Sequence, residues 1–465
     1  MMKTVRIGAA QGFYGDTIEP AVDIAKNGNV DYISFDCLAE LTMSILVKDK
    51  LKDPTKGYTK DITTSMKALL PYVKEKGIKL LTNAGGINPE GAYEEVVRVA
   101  KELGITGLKI AVVTGDNILE RISELRDKGV SFKDMETGDS FETVQDKLLF
   151  ANAYLGVKPI VEALHQGADI VVTGRTTDTA QFLAPLVYEF GWKEDDWDRL
   201  AQGILMGHLM ECSAQSTGGN FSGNWWDVED MDRIGYPIAE VKENGDFILT
   251  KTETSGGMVN FDTIKEQMLY EIHDPAAYIT PDVVANFTTA KLEEIGKNRI
   301  FITGTTGSPR PDTLKVVMGY PNGYRGQVII GYSWPDAVKK VKKAESIIRK
   351  QIEQRGIKIE EIMVDYIGHN ALHGPTAAPP TEEDGLNEVF MRMAVRTKSY
   401  QDAEKFRRLV VPLGLNGPPY GGGLNGVRPR TLLGMWASLV PREFIEDEVK
   451  VQVKEVEKIA ESSTK

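Results

Sequence analysis

The chain has 465 residues, of which 42% are hydrophobic and 26% charged, and its formal net charge is -12. These values are typical of a globular protein, and the length favours two domains over one ordinary core. An acidic balance without a basic stripe argues against nucleic-acid binding. No apolar run is long enough to cross a membrane, and two cysteines cannot build a disulfide framework, so we expect a cytoplasmic protein.

Five short apolar runs in the N-terminal part each end in a polar or glycine-containing cluster. They cover residues 5–16, 31–36, 78–88, 108–116 and 169–178. The runs show little alternation and are separated by helical patterns, which predicts an α/β domain with a parallel sheet flanked by helices. Ligands bind where the strands of such sheets end. We therefore expect Asp36, Asn83, Arg175 and Asp178 to lie together at that edge.

The α/β domain is also predicted to contain helices over 143–166, 179–190 and 196–214, and a hairpin follows over 236–243 and 246–253. The pattern then changes. The remaining predicted elements are strands over 315–320 and 326–334, a helix over 335–356, strands over 359–368 and 388–397, a helix over 399–414, a glycine-rich loop over 415–426 and an edge strand over 449–454. This order predicts a C-terminal α+β domain. The predicted division is 1–235 for the α/β domain, 236–440 for the hairpin with the α+β domain, and 441–465 for the edge strand and tail.

Several strong signatures of enzyme chemistry are missing from the sequence. It has no glycine-rich dinucleotide fingerprint after the first strand, no phosphate-binding loop, no zinc-protease motif and no hydrolase nucleophile elbow. The usual forms of NAD, ATP, zinc-protease and α/β-hydrolase chemistry are therefore disfavoured. Function has to be inferred from looser groups of residues.

The segment 173–183 is the most informative of these groups. Arg175 follows a strand and precedes a helix that begins near Thr179. A guanidinium beside a helix N-terminus is suited to binding a carboxylate or phosphate. The alternative for Arg175 is an ion pair with a neighbouring acid. Asp178 either caps that helix together with Gln181 or takes part in catalysis.

Two glycine-containing loops follow other strands of the predicted sheet. In 11–16, Gly12 and Gly15 let the backbone approach a ligand, and Asp16 either contacts that ligand or caps the next helix. In 82–89, Asn83 and Asn88 flank two glycines. The amides of those glycines, Gly85 and Gly86, are candidates for stabilising an oxyanion. The alternative is a tight strand-to-helix turn, which accounts for the glycines but not for both asparagines.

A third group lies in 207–223. His208, Glu211 and Cys212 have the spacing that places them on one helix face, so they are candidates for an acid or a metal site. The alternative is a structural histidine beside a buried cysteine. The polar loop that follows contributes Asn220 as a candidate substrate contact.

Six segments together resemble the acyclic terpene utilisation (AtuA) family. They are IGAAQGFYGD, DYISFDCLAELTMSIL, GYTKDI, TNAGGINP, GADIVVTGRTTDTAQFLAPLVYEFGW and ECSAQSTGGNFSG, and the resemblance extends to about Val440. It implies a place beside acyl-CoA metabolism, in the degradation of branched acids, where a lyase step on a hydroxylated acyl-CoA is one suggestion. It also implies a partner, because some relatives carry an additional C-terminal domain and others pair with a small separate protein.

Two functions are compatible with these observations. The first is a lyase or dehydratase acting on an organic acid or acyl-CoA ester through an enolate-like intermediate. Its roles would be Asp36 or Asp178 as base, Arg175 as anion anchor, Asn83 with the Gly85 and Gly86 amides as stabilisers, and His208, Glu211 or Cys212 as acid or metal ligand. The second is a non-catalytic subunit that binds an acyl-CoA or acid.

The expected cofactor and partners follow from the same features. A divalent metal is a candidate cofactor, and CoA, where present, would be part of the substrate. The edge strand over 449–454 leaves a row of backbone groups open. The strand is either kept soluble by its lysines or covered by another chain. The family resemblance favours the second, so we expect a homo-oligomer or a complex with a small protein subunit.

Overall fold

The computed structural model describes residues 3–378 and 385–457. They form two compact units. The larger unit comprises the described residues up to Met318 and those from Met435 onward, and the smaller unit comprises Gly319–Gly434.

The strands are, in chain order, β1 (Thr4–Ala9), β2 (Tyr32–Phe35), β3 (Lys79–Thr82), β4 (Lys109–Thr114), β5 (Phe150–Ala153), β6 (Ile170–Thr173), β7 (Ile238–Lys242), β8 (Phe247–Thr250), β9 (Tyr278–Ile279), β10 (Val284–Asn286), β11 (Lys291–Gly296), β12 (Arg299–Thr303), β13 (Thr306–Ser308), β14 (Thr313–Ser333), β15 (Glu361–Ile367), β16 (Glu388–Thr397), β17 (Gly421–Pro441) and β18 (Lys450–Glu455).

The α-helices are α1 (Glu19–Asn27), α2 (Glu40–Lys52), α3 (Ile62–Lys76), α4 (Pro89–Glu102), α5 (Ile122–Asp127), α6 (Lys158–His165), α7 (Ala180–Phe190), α8 (Trp197–Glu211), α9 (Phe261–Leu269), α10 (Ala337–Gln354), α11 (Tyr400–Arg407), α12 (Leu413–Asn416) and α13 (Glu443–Glu446). Among the described residues, no helix combines the length and the apolar character needed to cross a membrane.

The larger unit is built on a ten-stranded sheet with the order β11-β12-β8-β7-β1-β2-β3-β6-β4-β18. The five strands from β1 to β4 in this order pair in parallel, and the strands outside them pair antiparallel. Every residue of β2 and β6 is buried, which explains why these runs show no alternation. The predicted parallel sheet flanked by helices is therefore confirmed.

The two ends of this sheet bear on the predicted domain boundaries. The hairpin of β7 and β8 belongs to the larger unit because β7 pairs with β1, so the unit continues past residue 235. At the other end, β18 pairs with β4 and is the last strand of the sheet. Within the described part of the chain, the second side of β18 pairs with no strand.

One helix predicted in this unit is wrong. Residues 143–166 were expected to be a single helix, whereas Phe150–Ala153 form β5 and a shorter helix, α6, begins at Lys158. Pro159 lies in the first turn of α6, where its fixed φ and missing N–H are tolerated, so the proline marks the helix start. The run before it is fully buried, as is usual for a short central strand.

The smaller unit contains a sheet in the order β15-β16-β14-β17, with α10 packed on β16. This arrangement of strands and helices confirms the predicted α+β character of the C-terminal region. The two strands expected at 315–320 and 326–334 are instead one continuous strand, β14. The helix expected at 399–414 is interrupted: α11 ends at Arg407, and α12 follows after Pro412, its N-cap residue.

The glycine-rich segment 415–426 is a strand over its second half, because β17 begins at Gly421. A Cβ atom at Gly421 would lie 2.9 Å from the ring of Tyr332, and one at Gly423 would lie 2.8 Å from the ring of Phe390. Glycine is therefore required where β17 crosses these rings, and the composition is a packing feature of a strand and not the mark of a loop.

Candidate functional site

Asp36 and Asn83 follow two neighbouring parallel strands, β2 and β3, at the edge where those strands end. The Asn83 amide donates to Asp36 Oδ1 at 2.6 Å, and its Oδ1 accepts from the Cys37 N–H at 2.7 Å. Both side chains are buried. Asn83 thus connects the two strand ends and fixes the orientation of the Asp36 carboxyl group.

Arg175 follows β6 and is buried, with 1% of its surface exposed. Its Nη1 donates to Asp178 Oδ1 at 2.7 Å and to the Leu38 carbonyl at 3.1 Å, and the guanidinium carbon lies 4.0 Å from the centroid of the Tyr154 ring. The backbone N–H of Arg175 donates to Asp116 Oδ2 at 2.8 Å. Because the guanidinium is enclosed, it acts on the site through Asp178 and not as a solvent-facing anchor.

Asp178 does not cap the helix that follows it. The N-cap of α7 is Thr179, which makes no side-chain cap bond, and Asp178 pairs with Arg175 instead. Gln181, the expected partner in a capping box, donates to the hydroxyls of Thr173 and Thr176. The carboxyl group of Asp178 is therefore directed to the strand-end edge, with 34% of the side chain exposed.

The end of α8 brings His208 and Glu211 to the same edge. His208 Nδ1 lies 2.9 Å from Glu211 Oε1, and its Nε2 lies 2.8 Å from the Gln267 carbonyl, which can only accept a hydrogen bond. Burial lowers the pKa of His208 to about 4. Both ring nitrogens are occupied, so His208 positions Glu211 and has no free nitrogen for a substrate or metal.

Asp36, Asp178 and Glu211 form a carboxylate cluster in which one oxygen from each lies within 4.8 Å of the others. Asp36 and Glu211 are buried. Burial, followed by the charge of Asp178, raises the pKa of both groups well above the usual range. Arg175 brings one positive charge to three carboxyl groups, so protons or a cation must balance the rest.

Three further residues lie beside this cluster. The Tyr154 hydroxyl and Lys315 Nζ both donate to Glu40 Oε1, the latter at 3.0 Å, and Lys315 Nζ is 4.9 Å from the Tyr154 ring centroid. Although burial opposes it, the Tyr154 hydrogen bond and the charges of Arg175 and Lys315 lower the pKa of Glu40 to about 2. Glu40 could be recognised in the sequence because it lies one helical turn after Asp36. Tyr154 and Lys315 could not, since β5 was not predicted and Lys315 lies 275 positions from Glu40.

In the first predicted ligand loop, 11–16, the backbone N–H groups of both glycines bond to carboxylates of the protein. Asp16 Oδ2 accepts from the Gly12 N–H at 3.1 Å, and Asp61 accepts from the Gly15 N–H at 2.8 Å. A Cβ atom at Gly12 would lie 2.8 Å from the Glu211 carbonyl, so the loop packs against the end of α8. Asp16 does not cap α1, which has no side-chain cap bond. Gly12 thus serves close packing behind the cluster, whereas Gly15 has a positive φ of 97° and open space around its Cβ position.

The predicted oxyanion donors are not available. The Gly85 N–H donates to the Thr173 carbonyl at 3.1 Å, and the Gly86 N–H donates to the Asn83 carbonyl at 3.2 Å. The prediction that these amides face a ligand is therefore wrong, because one of them bonds the end of β6 and the other closes the turn after β3.

Two predicted asparagines also have local roles. Asn88 is the N-cap of α4 and accepts from the Gly91 N–H at 3.2 Å. Asn220 donates to Gln215 Oε1 at 3.0 Å. Neither contacts the carboxylate cluster, so only Asp36, Asn83, Arg175, Asp178, Glu211 and, behind it, His208 are brought together.

Replacing Gly85 with alanine is expected to lower the free energy of unfolding by about 1–3 kcal/mol. The new Cβ would lie 2.4 Å from the Thr173 carbonyl oxygen and 2.8 Å from Pro89 Cα, and both are backbone atoms that cannot turn away. Urea unfolding measures the change. Gly296→Ala is the matched control, since its nearest neighbour is Arg299 Cδ at 3.9 Å. Equal stability of the two variants would contradict the close approach at Gly85.

Residues 5–451 match a family model described as acyclic terpene utilisation family protein AtuA. No curated protein and no solved structure matches the chain. The matched range includes every residue of the carboxylate cluster.

Proposed function

The chain belongs to the acyclic terpene utilisation family, and from this premise we propose that it is a lyase or dehydratase acting on an organic acid or acyl-CoA ester through an enolate-like intermediate. The observation that carries the proposal is the gathering of Asp36, Asp178 and Glu211 beside Arg175 at the edge where the parallel strands end.

The proposed reaction requires a proton acceptor next to the carbon that bears the carbonyl group. Asp36 or Asp178 takes the proton from that carbon, and the electron pair of the C–H bond becomes the enolate. Loss of a hydroxyl group from the neighbouring carbon then forms the double bond, and the transferred proton leaves with the hydroxyl as water. Asn83 and Arg175 hold the two carboxyl groups in place for this transfer.

Turnover by Asp178→Asn is expected to fall about 100-fold or more relative to the unchanged protein, because the amide cannot accept the proton. A panel of hydroxylated organic acids and their CoA thioesters, followed by mass spectrometry of the products, measures the effect. Asp195→Asn, at an exposed aspartate, serves as the control and should keep full turnover.

The same panel distinguishes the lyase from the second candidate, a subunit that binds an acyl-CoA or acid without converting it. Saturable binding of a panel member with no product from any of them would support that subunit and contradict the lyase. Product formation that Asp178→Asn leaves unchanged would contradict the assigned role of the cluster.

A further inference from the structure

We propose that Asp36, Asp178 and Glu211 bind one divalent cation of the magnesium class, Mg²⁺ or Mn²⁺, through one oxygen each. The inference concerns the cluster described above. It rests on the proposed function only for the cation's role in the reaction, and binding itself can be measured without turnover.

The spacing of the oxygens suits such an ion. One oxygen from each of the three residues lies within 4.8 Å of the other two, so all three can reach one ion. Mg²⁺ binds oxygen at about 2.0–2.1 Å, so the three carboxyl groups move closer together when they take up the ion. The three ligands come from three separate segments, after β2, before α7 and at the end of α8, which surround a common point.

One oxygen of each carboxyl group is held by a neighbouring side chain. Asn83 donates to Asp36 Oδ1, Arg175 donates to Asp178 Oδ1, and His208 Nδ1 lies 2.9 Å from Glu211 Oε1. Metal-binding carboxylates in proteins are usually oriented by such outer hydrogen bonds, which leave one oxygen directed at the ion. Asp36 and Asp178 each have a second oxygen outside these bonds.

The buried side chain of Glu211 gives evidence for a bound ion that is independent of the spacing of the cluster. Glu211 is 95% buried by residue surface, and within the described part of the chain its Oε2 has no hydrogen-bond partner. A buried carboxylate oxygen without a partner is costly, and native proteins rarely leave one. The carboxyl group that carries this unpartnered oxygen belongs to the same cluster as Asp36 and Asp178, so one cation there gives it a partner.

The chemistry of the ligands selects the ion. Three carboxylate oxygens are hard ligands, which favour Mg²⁺ and Mn²⁺ over the nitrogen- and sulfur-binding Zn²⁺. Of the predicted group His208, Glu211 and Cys212, only Glu211 belongs to this cluster. The set predicted from helix spacing is therefore replaced by one assembled from three segments.

The cation also resolves a difficulty of the proposed reaction. An anionic acid would be repelled by three carboxylates, and the Gly85 and Gly86 amides cannot stabilise an enolate oxygen because they are already bonded. A cation at the cluster attracts the substrate oxygen and stabilises the negative charge that forms on it. Asp178, the exposed member, marks the side from which the substrate arrives.

Titration of the EDTA-treated full chain with Mn²⁺, followed by electron paramagnetic resonance of the free ion, tests the proposal. We expect one Mn²⁺ per chain, displaced by Mg²⁺. Asp36→Asn and Glu211→Gln should each weaken binding about tenfold or more. Asp282→Asn changes a buried aspartate outside the cluster and should leave Mn²⁺ binding unchanged.

Absence of Mn²⁺ binding, or binding that both cluster variants retain in full, would overturn the proposal. A rise in the melting temperature of the unchanged protein with Mn²⁺ gives a second measurement that needs no variant. Mn²⁺ binding without turnover supports the cation site and counts against the lyase. Turnover that is insensitive to EDTA, with no Mn²⁺ bound, overturns the cation site and leaves the lyase in place.

Discussion

Arg175→Met is expected to lower the free energy of unfolding by about 3–5 kcal/mol. The change keeps an unbranched side chain but removes the positive charge that pairs with Asp178 and the donor to the Leu38 carbonyl. Arg175 is also the buried positive charge that favours the ionised forms of two further carboxyl groups, Asp36 and Glu211, so its loss removes that compensation from the whole cluster. Urea unfolding monitored by circular dichroism measures the difference.

Two comparisons give this prediction its controls. Arg233→Met breaks the exposed pair with Asp230 and should cost less than about 1 kcal/mol. Arg175→Lys keeps the charge but loses the planar contact with the Tyr154 ring, so an intermediate cost is expected. If Arg175→Met were no more costly than Arg233→Met, the structural role of the buried guanidinium would be contradicted.

The free energy of unfolding of Asp282→Asn, minus that of the unchanged protein, is expected to increase by about 2–3 kcal/mol from about pH 4 to about pH 8. Burial and, to a smaller extent, the charge of Glu446 raise the pKa of Asp282 to about 6, although the Val157 N–H, Arg442 and Arg310 lower it. The folded pKa lies above the unfolded value. The carboxyl group therefore favours folding fully below the unfolded pKa, and this contribution is lost as the pH rises through 6.

The asparagine variant has no such titration and keeps an oxygen that can accept from Val157. Chemical unfolding at a series of pH values gives the difference curve. Asp195→Asn, at an exposed position, should differ from the unchanged protein by less than about 0.5 kcal/mol at every pH. A flat difference curve for Asp282→Asn would show that its carboxyl group is not desolvated in the folded protein.

The parallel sheet and its strand-end residues were predictable because burial on both faces leaves a local signal. Apolar runs without alternation mark such strands, and each run ends next to the polar residue that it carries to the edge. Asp36, Asn83, Arg175 and Asp178 meet for that reason. The topology converts three separate local patterns into one site.

The remainder of the site depends on tertiary packing that no local pattern encodes. Glu211 reaches the cluster because the end of α8 packs on the loop after β1, where the Ser213 hydroxyl donates to the Ala10 carbonyl and Gly12 allows the close approach. Helix spacing alone grouped Glu211 with the wrong partners. Likewise, the glycine pair after β3 indicated a tight turn correctly, but the spacing does not show which carbonyls its amides contact.

The position of β18 has a consequence for the order in which the chain folds during synthesis. β4 lies within the first 114 residues, whereas its partner β18 begins at Lys450, after the whole of the smaller unit. The ribosome therefore releases the residues of the smaller unit before the strand that completes the ten-stranded sheet. Throughout that interval one edge of β4 is open, and a chaperone or another nascent chain can pair with it. Truncation just before Lys450 should trap this state, in which all residues of the smaller unit are present and the sheet of the larger unit lacks β18.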